Sequence, residues 1–266
     1  MPLNVSDIIV YPVKSLSGNH ASAAEVVETG FRNDRRWMIV DEDGIFITQR
    51  EHPPLALVRT KVTESGLRLT VPGQAPVEIP AIDEGAQVAV ELWEQPCEAV
   101  DQGPLASELL SGYLGRPCRL VQMHSRFRRK IKPKYYSGDE ASLRFPDSMP
   151  FLLISEASLA DLNGRLQVPV EMNRFRPNIV VSGGEAFQED GWKRIRIGAE
   201  VTFRVVKSCV RCEMTTIDQS TGIKGIEPLE TLGTYRTGAK GVLFGRHLLH
   251  EVLGTVRAGD PVEILE

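Results

Sequence analysis

The sequence has 266 residues, of which 42% are hydrophobic and 25% are charged. These proportions are typical of a soluble globular protein with one large domain or two ordinary ones. The formal net charge of −4 and the isoelectric point near 5.8 argue against a nucleic-acid partner, because nucleic-acid-binding domains normally carry a marked excess of Lys and Arg.

Two kinds of segment are not expected. No run approaches the roughly 20 consecutive apolar residues of a transmembrane helix, and the N-terminus, MPLNVSDIIVYPVKS, has no basic region before a long apolar run. We therefore expect no membrane partner and no signal peptide, and an N-terminal strand instead. Four cysteines are too few for a disulfide scaffold, so we predict a reduced, cytoplasmic protein.

Short strands separated by turn residues dominate the first 120 residues. Gly at a position that favours positive φ suggests two hairpins, which pair Arg36–Val40 with Ile45–Thr48 and Leu57–Val62 with Leu67–Val71. A further strand is predicted over Gln87–Leu92. A helix is predicted over Leu105–Tyr113, since Pro104 suits the first helical turn.

The second half shows the same pattern with one further helix, Glu156–Asn163, between a Ser155 N-cap and Gly164. The predicted strands are Phe151–Ile154, Asn178–Val181 before Gly183 and Gly184, the hairpin of Ile195–Ile197 with Val201–Val206, and a closing strand after the turn region Gly254–Val262. The predicted fold is mainly β with a few helices, in two barrel-like β units over residues 1–120 and 121–266.

The segment Ser125–Tyr136, SRFRRKIKPKYY, is basic and contains proline. It has two interpretations. One is a solvated linker; the other is an electropositive edge that faces an anionic cofactor or an acidic electron-donor protein.

The most informative segment is KSCVRCEMTTID, in which Cys209 and Cys212 have C-x-x-C spacing and Arg211 is adjacent to the second cysteine. A neighbouring cation favours the thiolate, which binds metals. Three interpretations stay open on the residues alone. They are a structural zinc site, for which His247 and His250 are the only other plausible ligands, a thioredoxin-like redox pair, and a single thiolate ligand to a metal whose other ligands come from a cofactor.

The stretch CVRCEMTTIDQSTG, followed by EPLETLGTYR and VLFGRH, resembles the C-terminal core of MOSC-domain proteins, in particular the amidoxime-reducing components and their bacterial counterparts. YPVKSLSG and FRNDRRWMIVDEDG resemble the N-terminal β-barrel domain of that family. PFLLISEASLADLN and RFRPNIVVSG resemble the start of the MOSC domain. The resemblance implies that the C-terminal unit is a MOSC-type barrel.

The resemblance also implies a molybdenum cofactor, a pyranopterin whose metal is bound by Cys212. Further positions match cofactor-contacting residues of the family: Lys14, Ser15, Arg35, Ser148, Arg176, Asn178, Arg211 and His247. His247 replaces an aromatic residue of relatives, and Met149 stands where some relatives have Ser. A phosphate and acceptor-rich rings require fixed cations and hydroxyls, which this set would supply. Cys209 is predicted to be a small buried thiol rather than a metal ligand.

The implied reaction is the reduction of N-hydroxylated compounds such as amidoximes, hydroxylamines and N-hydroxylated base analogues. Release of water requires protons, and Asp147 is our candidate acid near the metal. The chain has no plant-type ferredoxin motif, so electrons are expected from a separate donor protein, a flavoprotein or ferredoxin. Two alternatives are a sulfur-carrying protein with a persulfide on Cys212 and a non-catalytic module that binds a partner through Arg126–Lys134.

Overall fold

The computed structural model describes residues 2–138 and 141–266. Three α-helices lie in this part of the chain: α1 (Pro104–Leu114), α2 (Glu156–Asn163) and α3 (Leu229–Tyr235). The strands of the first half are β1 (Asn4–Val10), β2 (Asn19–His20), β3 (Ala23–Val27), β4 (Gly30–Phe31), β5 (Trp37–Val40), β6 (Arg59–Val62), β7 (Gly66–Thr70), β8 (Val77–Pro80), β9 (Gln87–Leu92), β10 (Gln95–Asp101) and β11 (Arg119–Met123). Those of the second half are β12 (Phe151–Ser155), β13 (Ile179–Ser182), β14 (Arg194–Ile197), β15 (Val201–Val210), β16 (Thr237–Gly238), β17 (Gly241–His250), β18 (Gly254–Arg257) and β19 (Val262–Ile264).

The largest sheet of the described chain has nine strands, in the order β19-β14-β15-β17-β12-β13-β1-β2, with β16 paired to β17. Smaller sheets have the orders β5-β11-β10-β9, β18-β3-β4 and β6-β7-β8. The architecture is mainly β with three helices, arranged as curled, barrel-like sheets, so the predicted fold class is confirmed.

The two halves of the chain share hydrogen-bonded sheets. Strand β1 pairs antiparallel with β13, with Asn4 opposite Ser182, and β3 pairs with β18, with Val26 opposite Gly254. The division into units at residue 120 stays a prediction.

Strand β12 is central to the large sheet, and all five of its residues are buried. A strand covered on both faces is apolar throughout rather than alternating. On one face Phe151 packs edge-to-face against Phe31 and Phe203, with ring centroids 5.0 and 5.1 Å apart. On the other face Leu152 and Ile154 belong to the core cluster that contains Phe175 and Phe244. The strand therefore separates two cores and fixes the loops at its ends.

Both predicted helices are confirmed. Helix α1 begins at Pro104, and α2 begins after Ser155, whose Oγ accepts a hydrogen bond from the Ser158 backbone N–H at 3.1 Å. Gly164 ends α2, but with a φ of −66° it does not adopt the left-handed conformation that favours glycine at helix C-termini.

Most predicted strands are confirmed, but Ile45–Thr48 is wrong as a strand. It makes only isolated bridges, from Phe46 to Val40 and from Ile45 to Glu91. The backbone of Gly44 lies directly against β9, where its carbonyl accepts from the Glu91 N–H at 3.0 Å. Residues 45–47 still bond to the end of β5, where the Asp41 N–H donates to the Ile45 carbonyl and the Ile47 N–H to the Ile39 carbonyl, both at 2.9 Å, but the pairing is too short to form a strand. Helix α3 and strand β17 were not predicted, and the predicted turn region Gly254–Val262 is wrong in its first part, where Gly254–Arg257 forms strand β18.

Ser155 and Ser158 meet the carboxylate of Glu189 in the interior, where all three side chains are buried. Ser155 Oγ is 3.0 Å from Glu189 Oε2, and Ser158 Oγ is 2.8 Å from Glu189 Oε1. We expect Ser155→Ala to lower the free energy of unfolding by about 1–3 kcal/mol, because the helix loses its cap and a buried carboxylate loses a donor. Chemical denaturation measures this loss. Ser125→Ala, at an exposed serine, is the control; equal stability of the two variants would contradict the prediction.

Candidate functional site

A cavity of 570 Å³ lies where loops from both halves of the chain meet. Lys14 and Ser15 follow β1, and Arg211 and Cys212 follow β15. All ten predicted site residues line this cavity: Lys14, Ser15, Arg35, Asp147, Ser148, Arg176, Asn178, Arg211, Cys212 and His247. The structure thus brings together residues separated by more than 200 positions in the sequence; their individual roles stay predictions.

Unfavourable backbone conformations concentrate around this cavity. Ser15, Arg35 and Arg176 have φ values of 66°, 45° and 56°. Left-handed backbone costs a residue other than glycine roughly 1 kcal/mol or more and persists only where surrounding contacts enforce it. Such strain is typical of functional sites.

Lys14 and Asp147 form an ion pair in the cavity wall. The Lys14 side chain is buried, and its Nζ also donates to the Phe145 carbonyl at 3.1 Å. Burial lowers the pKa of Lys14 to about 8, against the opposing effect of Asp147. Half of the Asp147 side chain is exposed; the charges of Lys14 and Arg50 outweigh its desolvation and hold its pKa well below the usual range.

Arg50 is a site residue that sequence reasoning missed. Its Nη2 lies 3.3 Å from Asp147 Oδ2 and 3.5 Å from Cys212 Sγ. Trp93, also missed, donates from Nε1 to Asp147 Oδ1 at 3.1 Å and lies 5.0 Å from the Arg50 guanidinium. No local signal in the sequence marks either residue, because both reach the site through tertiary packing.

These contacts decide whether Asp147, the predicted acid, can donate a proton. Asp147 is a carboxylate at neutral pH, held by Lys14, Arg50 and Trp93, so its environment does not favour proton donation. The Lys14 ammonium has a pKa nearer neutrality and is the better proton source in this cluster.

Cys212 is the one exposed cysteine of the four, all of which are described. It lies between β15 and a short 3₁₀ helix, Glu213–Thr216. Cys209 is buried, as predicted, yet it is not an ordinary thiol. Burial alone would raise its pKa, but Arg211 and His247 outweigh burial and lower the pKa to about 6. Arg211 Nη1 lies 3.0 Å from Cys209 Sγ.

The cavity is strongly electropositive. Eight of the lining residues are Lys or Arg. Asp147 is the one carboxylate in the whole lining. Arg176 is nearly buried and stacks on Tyr11 at 4.2 Å. Burial lowers its pKa to about 10, and within the described chain no carboxylate lies within ion-pair distance of it. A buried cation without a carboxylate partner suits an anionic ligand.

Asn178 is fully engaged within the protein. Its Nδ2 donates to the Ile9 carbonyl and to Asp34 Oδ1, both at 3.1 Å. Its Oδ1 accepts from Arg35 Nη1 at 3.1 Å and from the Leu152 N–H at 3.3 Å. The side chain therefore orients Arg35 towards the cavity.

A structural zinc site finds no support in the part of the chain that the structure describes, where no three His, Cys, Asp or Glu side chains are grouped to hold a metal ion. His247 lines the cavity, with Nδ1 3.3 Å from the Phe151 carbonyl. His250 is buried elsewhere, against the Phe151 ring.

Across residues 2–138 and 141–266, no helix is both long and apolar enough to cross a membrane.

The environment of Lys14 can be tested directly in the cofactor-free protein. We expect its ammonium to titrate near pH 8 in NMR of protein labelled with ¹³C at the lysine ε-carbons. Asp147→Asn should lower this midpoint, because the partner that favours the charged form is removed. Glu94→Gln, at an exposed carboxylate nearby, is the matched control. A midpoint near the ordinary value of 10.5 would refute the assigned environment.

The ionisation of Cys209 gives a second test. Thiolate absorbance at 240 nm should show a transition near pH 6 that Cys209→Ser abolishes. Arg211→Met should raise the midpoint, because a cation 3.0 Å from the sulfur is removed. Persistence of the transition in Cys209→Ser would mean that the ionised thiol is another cysteine.

Comparisons with known proteins agree with this geometry. Residues 2–117 match the MOSC N-terminal beta barrel domain, and residues 140–263 match the MOSC domain. Mitochondrial amidoxime reducing component 2 of Rattus norvegicus is 39% identical, with 97% of this chain and 82% of the relative covered. Mitochondrial amidoxime-reducing component 1 of Homo sapiens is 35% identical, with 98% and 82% covered. The crystal structure of the YuaD protein from Bacillus subtilis is 10% identical, with 98% of this chain and 94% of that chain covered at a TM-score of 0.42. The two family models and the amidoxime-reducing components show that the chain belongs to the family of MOSC-domain proteins that contains those components.

Proposed function

We propose that the chain is a molybdenum-cofactor-dependent oxidoreductase that reduces N-hydroxylated compounds: amidoximes, hydroxylamines and N-hydroxylated base analogues. Its electrons come from a separate donor protein, a flavoprotein or ferredoxin. The observation that carries the proposal is a single exposed thiol, Cys212, in a large cationic cavity. The relatives named as amidoxime-reducing components supply the reaction class.

The lining residues fit the implied cofactor. Cys212 would hold the metal through its thiolate, and the cofactor would have to supply the remaining ligands, since no other metal-ligand cluster lies among the described residues. The phosphate would be matched by Arg176, which lines the cavity and has no carboxylate partner in the described chain. The hydroxyls of Ser15 and Ser148 suit the acceptor-rich rings. When bound, the cofactor supplies two-electron oxygen-atom transfer.

The chain's own residues supply charge and protons. Arg50 places a fixed guanidinium 3.5 Å from Cys212 Sγ, which stabilises negative charge on that sulfur. Lys14 Nζ carries the proton that water release requires. Asp147, predicted from sequence as the acid, acts instead by positioning Lys14 and Arg50. Arg211 and the Cys209 thiolate form the wall behind Cys212.

Two further assignments are proposals. The family matches favour an N-terminal barrel over residues 1–120 and a MOSC domain over residues 121–266. A cytoplasmic location also stays a prediction, since the relatives are named as mitochondrial proteins.

The test is elemental analysis of protein purified from a host that makes the cofactor. We expect near-stoichiometric molybdenum in the wild type and its loss from Cys212→Ala, because the protein's metal ligand is removed. Cys118→Ala, at a buried cysteine outside the cavity, should retain the metal. Reduction of benzamidoxime should follow the molybdenum content.

Two results would contradict the proposal. A folded wild type that carries sulfur released by cyanide on Cys212, without molybdenum, would establish the sulfur-carrying alternative. A folded wild type without metal, pterin or labile sulfur that forms a stable protein complex through Arg126–Lys134 would establish the partner-binding module.

A further inference from the structure

A second cavity of 470 Å³ adjoins the first. Four residues line both cavities and form their common wall: Tyr135, Asp147, Ser148 and Lys207. The far side of the second cavity is formed by the β9–β10 turn, which contains Trp93, and by the basic segment of residues 129–134. A molecule bound at Cys212 can therefore extend past Asp147 into this space.

The second cavity, like the first, is cationic. Five of its lining residues are cations: Arg129, Lys130, Lys132, Lys134 and Lys207. The two carboxylates are Glu94 and Asp147, and Asp147 is already neutralised by Lys14 and Arg50. In the described chain no ion pair joins Arg129, Lys132, Lys134 or Lys207 to a carboxylate. The net charge of the cavity wall is thus positive.

Arg129 is the unusual member of this set. Its side chain is 4% exposed, and its guanidinium donates to the Pro146 carbonyl. Its Nε and Nη1 have no partner among the described residues. Burial lowers the pKa of Arg129 to about 10, so it remains charged at neutral pH. A buried charge that lacks a counter-ion is costly, and an anion bound in the adjoining cavity would compensate it.

Aromatic side chains pack against the cations and the turn that line this cavity. Lys134 Nζ and Lys207 Nζ lie 4.9 and 4.7 Å from the Tyr135 ring centroid. Trp93 is 46% exposed and packs on Phe46, with ring centroids 4.9 Å apart. Trp93 and Glu94 form a two-residue turn with φ values of 53° and 62°, where Asn and Gly are the usual residues. The bulky indole of Trp93 is thus held in the cavity wall despite an unfavourable backbone conformation.

We propose that the second cavity is a subsite for an anionic group, a phosphate or carboxylate, carried by the N-hydroxylated substrate whose reducible nitrogen lies beside Cys212. The inference rests on the proposed function and narrows its substrate class. A concave cavity beside Arg129, which is buried and lacks a counter-ion, fits a small anionic group better than the broad surface of an acidic protein.

Direct binding tests the subsite without turnover. Calorimetry on the molybdenum-loaded protein should show that adenosine 5′-monophosphate binds more tightly than adenosine. Lys132→Ala with Lys134→Ala should weaken binding of the monophosphate about tenfold, as expected for two exposed cations. Arg126→Ala with Arg128→Ala removes two exposed cations of the same segment outside the cavity and should change binding less than twofold. Equal weakening by both pairs would overturn the proposal.

Turnover tests the assignment to substrate. For N⁶-hydroxyadenosine 5′-monophosphate, the Lys132/Lys134 variant should lose about tenfold in kcat/KM. For neutral N⁶-hydroxyadenosine, kcat/KM should stay within twofold of the wild type. Equal loss for both substrates, or no loss, would overturn the proposal.

Three other outcomes identify a different occupant or a different failure. Loss of turnover with a protein donor but not with a chemical reductant would assign the surface to the donor and overturn the proposal. If only the cofactor-free protein binds the monophosphate, the cavity is the site of the cofactor phosphate, and the proposal is overturned. If the loaded enzyme reduces neither benzamidoxime nor the nucleoside nor the nucleotide, the proposed function fails, whereas monophosphate binding still decides whether the cavity is an anion site.

Discussion

The site depends on the ion pair between the buried Lys14 side chain and the half-exposed Asp147 side chain. The two residues are 133 positions apart, and each lies in a loop beside a strand of the large sheet. A lysine buried without a partner costs several kcal/mol, so the fold must bring a carboxylate to it. The same carboxylate holds Arg50 and Trp93, and Arg50 reaches Cys212. One ion pair thus fixes the relative positions of the lysine, the guanidinium and the thiol.

Two kinds of feature could be predicted from the sequence: those that depend only on neighbouring residues, and those that family motifs mark. Ser155 could be identified as an N-cap because capping requires only neighbouring residues. Cys212 and the residues around the cavity could be identified because family motifs mark them. Arg50 and Trp93 could not, since their place in the site arises from packing between distant segments. The predicted turn at Asp41–Gly44 does form, but the segment Ile45–Thr48 pairs with β5 only through an isolated bridge rather than as a strand.

The structure also distinguishes residues that are free to bind a ligand from residues whose hydrogen bonds go to other side chains of the protein. Asn178 has no free donor, because its amide bonds to Ile9 and Asp34 while orienting Arg35. Arg176, by contrast, has a guanidinium without a carboxylate partner in the described chain. Sequence motifs mark both kinds of residue equally, and hydrogen-bond accounting distinguishes them. Cys209 shows a further limit, since its ionisation depends on Arg211 and on distant His247 together.

The pairing of β1 with β13 and of β3 with β18 has a consequence for how the protein is made. The ribosome releases Asn4 long before Ser182, and Val26 long before Gly254. Strand β1 therefore lacks its partner β13 until about two-thirds of the chain has emerged, and β3 lacks β18 until nearly all of it has. Such distant pairings slow folding. Lys14 and Ser15 share their cavity with His247, which emerges only when synthesis is nearly complete, so the full cavity forms after most of the chain has been made.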